Sequence, residues 1–287
     1  MLAVTHSGKF HADDVLAWAL ILEFFAPHAT LKRTRDEEEI KKANIVFDVG
    51  GLFDPSTMRF DHHQSSYQGP LSSAGMVLHW LKETHHISDD SFCALKQSIV
   101  DYIDDVDNGR TLPNPKTPCF AQFVDIMGSG CTSLEEFDTA FHKAAQFARN
   151  YIHSTQKNIL IQEESKEKVR LEMEQSKKEG RNYLFFDQYV PWKKPYFIFN
   201  GEIHPTEFVI FPNLQGRWQV VAIPPKELSF AQKKSFPTPW SGLRGQELST
   251  VIGVDGAIFC HKNLFIAVFE TLEVAMESMR KWDMIKE

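Results

Sequence analysis

Leu2-Ala3-Val4-Thr5-His6-Ser7-Gly8-Lys9-Phe10-His11-Ala12-Asp13-Asp14 reads as a strand, a loop and the first turn of a helix. Leu2 to Thr5 is a short apolar run of the kind that forms a buried strand. Ser7 to Phe10 form the loop, and from Asp13 a helix carries Val15, Leu16, Trp18, Ala19, Ile21, Leu22 and Phe25. Open α/β sheets place their sites at such junctions, where a strand's carboxyl end passes into a helix. His6, His11 and Asp13 all fall there. Asp14 reads only as a first-turn acid that complements the helix dipole.

Working outward, Thr30 to Thr34 form a second strand, Asp36 to Ala43 a short charged helix, and Ile45 to Phe47 a third strand. That strand ends in Asp48-Val49-Gly50-Gly51, whose glycines permit a sharp turn and leave Asp48 at the sheet edge. Phe60 leads into Asp61-His62-His63, three groups able to ligate a metal or move a proton. Ser72 or Ser73 caps a helix that runs to about Glu83, and a small-residue helix start also suits a phosphate, which makes Ser73 a substrate candidate. A further helix spans Ser91 to Ile103 and leads into the acidic segment Asp101-Tyr102-Ile103-Asp104-Asp105-Val106-Asp107-Asn108-Gly109. Like charges are unfavourable at a helix's carboxyl end, and a bound cation would offset that cost.

Thr111 to Pro118 make a proline-rich loop, and Leu134 to about Lys178 read as helical. The charge density of Gln162 to Arg181 marks a solvent-exposed helix bridging two domains. After Gly180, the runs Tyr183–Phe186, Tyr196–Phe199, Glu207–Phe211 and Trp218–Ile223 alternate with Pro, Asn and Gly in the manner of antiparallel strands. A terminal helix starts near Leu272. The expected division is a domain over residues 1–150, a helical connector over 151–182 and a smaller domain over 183–287.

With 287 residues, 43% of them hydrophobic and 24% charged, the chain has ordinary globular composition. A net charge of −7 argues against a broad grip on duplex nucleic acid. Cys93, Cys119, Cys131 and Cys260 are widely spaced, with no Cys-x-x-Cys pair, which favours reduced thiols in a cytoplasm. Neither a signal peptide nor a membrane span is expected.

These features converge on one chemistry. His6, His11, Asp13, Asp48, His62 and one aspartate of the 101–107 segment form a candidate metal-ligand set. Nitrogen and oxygen donors of this kind suit Mn²⁺, Mg²⁺ or Zn²⁺, one ion or two. Two ions sharing a carboxylate activate water and neutralise phosphoryl and leaving oxygens together. His63 is then available to polarise the substrate or protonate the leaving group, with Asp61 orienting its neighbours.

Thr5-His6-x-Gly8-x-Phe10-His11-x-Asp13, Asp48-Val49-Gly50-Gly51, Asp54-Pro55, Asp61-His62-His63-Gln64, Ser72-Ser73-Ala74-Gly75 and Val106-Asp107-Asn108-Gly109 resemble the melanocyte-proliferating-gene exonuclease family. That family is similar to the DHH phosphoesterases. The likeness continues through Pro239-Trp240-x-Gly242-Leu243-Arg244 and Ile258-Phe259-x-His261. It implies an α/β fold: an amino-terminal DHH domain with a parallel sheet, a helical connector and a smaller α/β carboxyl-terminal domain. It also implies a Mn²⁺-type phosphoesterase whose eukaryotic relatives act as 3′–5′ RNA exonucleases. On that resemblance the ligands are His6, His11, Asp13, Asp48, His62 and Asp104, with Asp107 the competing choice for the last. His11 stands where wider DHH enzymes carry Asp. Arg244, His261 and Lys262 become substrate-facing groups, since arginine suits phosphate.

The leading expectation is thus a metal-dependent phosphodiesterase acting on RNA or short oligonucleotides in a cleft between domains. A homodimer is compatible with it. A phosphatase of small phosphorylated metabolites and a non-catalytic, metal-binding regulatory protein are the alternatives.

Overall fold

The computed structural model describes residues 1–114 and 116–286, so Pro115 of the proline-rich loop and the terminal Glu287 lie outside the described residues. The chain divides into two compact units, Met1–Ile159 and Leu160–Glu287.

The first unit contains β1 (Leu2–Thr5), α1 (Ala12–Phe24), β2 (Thr30–Arg33), α2 (Glu37–Lys42), β3 (Ile45–Phe47), β4 (Phe53–Asp54) and β5 (Arg59–Phe60), followed by α3 (Ser73–Glu83), α4 (Asp89–Leu95), α5 (Asp101–Asp107) and α6 (Phe120–Gly128). Its sheet runs in the order β2-β1-β3-β5-β4. The pairs β1–β2, β1–β3 and β3–β5 are parallel, whereas the edge strand β4 runs antiparallel to β5. The sheet is therefore mixed, with a parallel centre. Every residue of α1 from Ala12 to Ile21 is buried, so this helix has no solvent face over most of its length. It packs into a core shared with Phe47, Phe60, Leu78 and Leu81.

The helix expected over Ser91 to Ile103 is less regular than its sequence suggests. Between α4 and α5 the backbone widens over Lys96–Val100, and the Asp101 amide donates to the Lys96 carbonyl five residues back. Helical structure then continues to Asp107, beyond the expected end, and carries the acidic segment with it.

α7 spans Leu134–Glu179 as one helix of 46 residues. Within the first unit, Phe141, Ala144, Ala145, Ala148 and Ile152 recur at helical spacing and are buried in its core. Within the second, Val169 and Met173 do the same. The charged stretch is thus amphipathic rather than solvated all round.

The second unit continues with β6 (Tyr183–Phe185), α8 (Lys193–Ile198), β7 (Phe208–Pro212), β8 (Trp218–Ala222), α9 (Gly245–Ile252), β9 (Ala257–Cys260), β10 (Ile266–Phe269) and α10 (Leu272–Lys281). Its sheet order is β6-β7-β8-β10-β9. Alternation along the strands sorts side chains onto two faces. Phe208, Ile210, Val220 and Ala222 enter one apolar cluster, Val209 and Phe211 another. Two expectations are corrected here. β6 pairs with β7 in parallel, not antiparallel. Tyr196 to Phe199 is not a strand, because α8 passes through it with Pro195 in its first turn and Tyr196 fully buried. A four-residue apolar run cannot distinguish a strand from a buried helical turn.

No helix among the described residues is long and apolar enough to cross a membrane.

Candidate metal centre

The strand order determines what can meet. β1, β3 and β5 are adjacent and parallel, with Val4 opposite Val46 and Phe47 opposite Phe60. Their carboxyl ends therefore share one sheet edge. The residues that follow, His6, Asp48 and the Asp61-His62-His63 run, stand side by side there at the spacing of sheet strands, about 4.8 Å. The start of α1 supplies His11, Asp13 and Asp14 from across the edge, and the end of α5 supplies Asp107.

Among the described residues, four overlapping groups have ligand atoms within 4.8 Å of one another: His6, His11 and Asp48; Asp48, His62 and His63; His11, Asp13 and Asp107; and Asp13, Asp14 and Asp48. Asp48 belongs to three of them. One of its oxygens lies 3.1 Å from His6 Nε2, and the other lies 3.4 Å from His62 Nε2. Its backbone is left-handed at φ 56°, a conformation a non-glycine residue adopts at some cost. That turn aims the carboxylate along the sheet edge.

The remaining contacts close the cluster. His62 Nε2 lies 3.1 Å from Asp107 Oδ2 and 3.7 Å from Asp13 Oδ2. His6 Nε2 lies 3.2 Å from Asp14 Oδ2. Burial alone would lower the His6 and His62 pKa values, but the surrounding carboxylates win and push both up to about 10. Burial raises Asp13 well above the usual carboxylate range, and the Asp48, Asp107 and Asp14 charges add to the effect. Asp48 is driven the opposite way: burial opposes its ionisation, but His6 and His62 hold it far below the ordinary value.

The residues fit a divalent cation. Both carboxylate oxygens of Asp13 are buried without a hydrogen-bond partner. Asp14 Oδ2, Asp48 Oδ2 and His62 Nε2 are also buried without a well-formed hydrogen bond. Unpaired buried carboxylates are costly unless a charge compensates them. Side chains that converge on common points rather than on each other are what a ligand shell presents. The donors are imidazole nitrogen and carboxylate oxygen, with no thiolate.

Asp61 turns away from the cluster. Its Oδ2 accepts the Gly51 amide at 2.6 Å, while Oδ1 accepts the His63 amide at 3.1 Å and lies 2.8 Å from His63 Nδ1. It therefore ties the Gly50-Gly51 turn to the histidine pair. The Asp61 carboxylate beside it raises the His63 pKa, and the His63 side chain is 61% exposed.

Two expected site residues, Asp104 and Ser73, are engaged differently from the expectation. Asp104 Oδ1 accepts the Ser72 amide at 2.9 Å and the Ser72 hydroxyl at 2.6 Å, so its carboxylate braces the start of α3. Of the competing aspartates, Asp107 is the one that joins the cluster. Ser73 is fully buried and its hydroxyl donates to Asp48 Oδ1 at 3.2 Å, which leaves it supporting a carboxylate rather than facing a substrate. Ser72 occupies the N-cap position, but its hydroxyl is committed to Asp104.

Asp14 is more than a dipole complement. It is fully buried, its Oδ1 accepts the His11 amide at 3.0 Å, and its Oδ2 reaches His6. The all-apolar run after it was the available clue, because an acid at the head of a helix with no polar face must be buried. In the second unit, Arg244 stacks 4.5 Å over the Phe259 ring and the His261 ring lies 4.5 Å from Phe265. Lys262 is exposed, and its carbonyl accepts the Ser241 hydroxyl at 2.9 Å. These three residues are gathered around β9.

The model of an uncharacterised protein family, UPF0160, matches residues 2–281. A MYG1 protein from Chlamydia pneumoniae is 35% identical over 278 residues, 96% of this chain and 94% of the relative. The MYG1 exonucleases of Mus musculus and Homo sapiens are each 28% identical over 321 residues, covering 96% of this chain and 83% and 84% of those proteins. On a match that takes in both units, the chain belongs to the UPF0160 family.

Proposed function

We propose that the chain is a divalent-metal-dependent phosphoesterase that removes nucleotides in the 3′–5′ direction from RNA or short oligonucleotides. The observation that carries this reading is Asp48, whose two oxygens face different histidines and which belongs to three of the four ligand groups. A carboxylate so placed is suited to bridging two cations. His6, His11, Asp13, Asp14, Asp48, His62 and Asp107 would hold them. When bound, the ions supply Lewis acidity and an activated water; Mn²⁺ suits these donors, as do Mg²⁺ and Zn²⁺.

The chain's own groups complete the chemistry. In this reading His63, partly exposed and 2.8 Å from Asp61 Oδ1, donates a proton to a departing oxygen. Ser73 holds the Asp48 carboxylate in position through its hydroxyl. The exonuclease names of the mouse and human relatives support a nuclease over a small-metabolite phosphatase. All four cysteines are unpaired, which fits a reducing, cytoplasmic setting.

The test is a manganese-supplemented assay on short RNA, short DNA and nucleoside monophosphates. Asp48→Ala and His62→Ala are each expected to abolish hydrolysis while circular dichroism shows the protein folded. Retained activity in both variants, or release of phosphate from monophosphates in preference to oligomers, would overturn the reading.

A further inference from the structure

A cavity of about 810 Å³ opens beside the metal centre, entirely within the Met1–Ile159 unit. His11 and Asp107 line it and also belong to one ligand group with Asp13, so the cavity and the cluster share a wall. The rest is largely apolar, with Phe10, Ile103, Val106, Phe123 and Ile126 along it. Among the described residues no lysine or arginine lines it. At Gln122 the amide oxygen accepts the Cys119 amide at 3.3 Å and the amide nitrogen donates to the Asn114 carbonyl at 3.2 Å. Its Asp125 is ion-paired with Lys9 at 2.9 Å.

We infer that this cavity is the subsite for the nucleobase attached to the phosphate that the cluster engages. This rests on the phosphoesterase reading and adds to it what the substrate must carry. The volume falls within the roughly 300–1,000 Å³ typical of small-ligand pockets. A wall without lysine or arginine is unsuited to a second phosphate, and a planar, uncharged ring suits it. Phe123 is 48% exposed, so it offers a face on which a base can stack. With the wall largely apolar, recognition rests chiefly on the face of the base.

The test is calorimetric binding of adenosine 5′-monophosphate and of ribose 5-phosphate to the full chain with Mn²⁺. Stacking contributes about 1–3 kcal/mol per base, or about 5- to 150-fold in affinity. The base-bearing ligand should therefore bind at least about fivefold more tightly. Phe123→Ala should bring that preference close to unity and leave ribose 5-phosphate binding unchanged; Phe123→Trp should keep the preference. Since Phe123 is half exposed, the alanine variant should fold, and Ile126→Ser, at a residue 67% exposed, is the second probe.

Equal binding of the two ligands by the unaltered chain overturns the inference. So does a preference that neither Phe123→Ala nor Ile126→Ser changes. A dimer that Phe123→Ala dissociates without altering the preference assigns the surface to a second copy of the chain, and again overturns it. If the base preference holds but no RNA is hydrolysed, the subsite stands and the phosphoesterase reading falls. If RNA is hydrolysed without a base preference, the reverse is true.

Discussion

A β-carbon on Gly75 would lie 2.3 Å from Oδ2 and 2.6 Å from Oδ1 of Asp104. Real β-carbons do not approach oxygen so closely, so the helix α3 can receive that carboxylate only where residue 75 lacks a side chain. Gly75→Ala should push Asp104 off Ser72 and destabilise the chain by about 1–3 kcal/mol, the cost of leaving buried polar groups unpaired. Chemical denaturation measures it. In an Asp104→Ser background the same substitution should cost much less, and additive losses would show that the clash is not the cause.

Stability of the metal-free chain should fall as pH rises just above neutrality. Asp13 and Asp14 are raised, Asp104 is pushed up to about 6, and His6 and His62 to about 10. Each of these groups holds its proton more tightly folded than unfolded. The stability they contribute is present below their unfolded values and is lost as pH passes through the folded ones. Asp104 acts between about pH 4 and pH 6 and the two histidines between about pH 6.5 and pH 10, all in the same direction. Asp48 and Asp61 are lowered and act the opposite way only at more acidic pH, and Lys233, which burial lowers to about 8, does so only above that. Melting temperature should therefore decline from about pH 6.5 to pH 8 without metal. A saturating divalent cation should flatten or reverse the trend, because ligands shed protons on binding. Identical slopes with and without metal would refute this.

Asp13→Asn should separate stability from metal affinity. The native carboxylate is fully buried with both oxygens unpartnered, beside Asp14, Asp48 and Asp107. An amide of the same shape removes the like-charge repulsion, and its NH₂ can donate to a neighbouring carboxylate. The metal-free variant should melt higher than the unaltered chain at pH 8, by roughly 1–3 kcal/mol of added stability. Its affinity for Mn²⁺ should drop at least tenfold in titration calorimetry. A variant both less stable and unchanged in affinity would place Asp13 outside the cluster's electrostatics.

Much of this site was legible in the sequence because its residues follow short apolar runs. Leu2 to Thr5 and Ile45 to Phe47 read as strands, and a residue just past a strand end has few places to go. The three parallel strand ends then account for His6, Asp48 and His62 standing together. Helix ends were less legible. Asp104 and Asp107 differ by about 60° around a helix axis, and only the packing of α5 against α3 decides which faces the cluster. Nothing in Ser72-Ser73-Ala74-Gly75 announces that its small residues make room for a carboxylate and not for a phosphate. Tyr196 to Phe199 failed for a different reason: four apolar residues carry no period.

The widened turn at Lys96–Val100 acts as a phase setting for everything after it. One residue inserted into a regular helix advances the following side chains by about 100° around the axis. Asp104 meets Ser72, and Asp107 meets His62, only at the resulting angle. A chain shortened by one residue in this turn could keep a straighter and more regular helix, yet its acids would sweep past both partners. The irregularity is thus the dial by which an ordinary helix is tuned to two appointments at once.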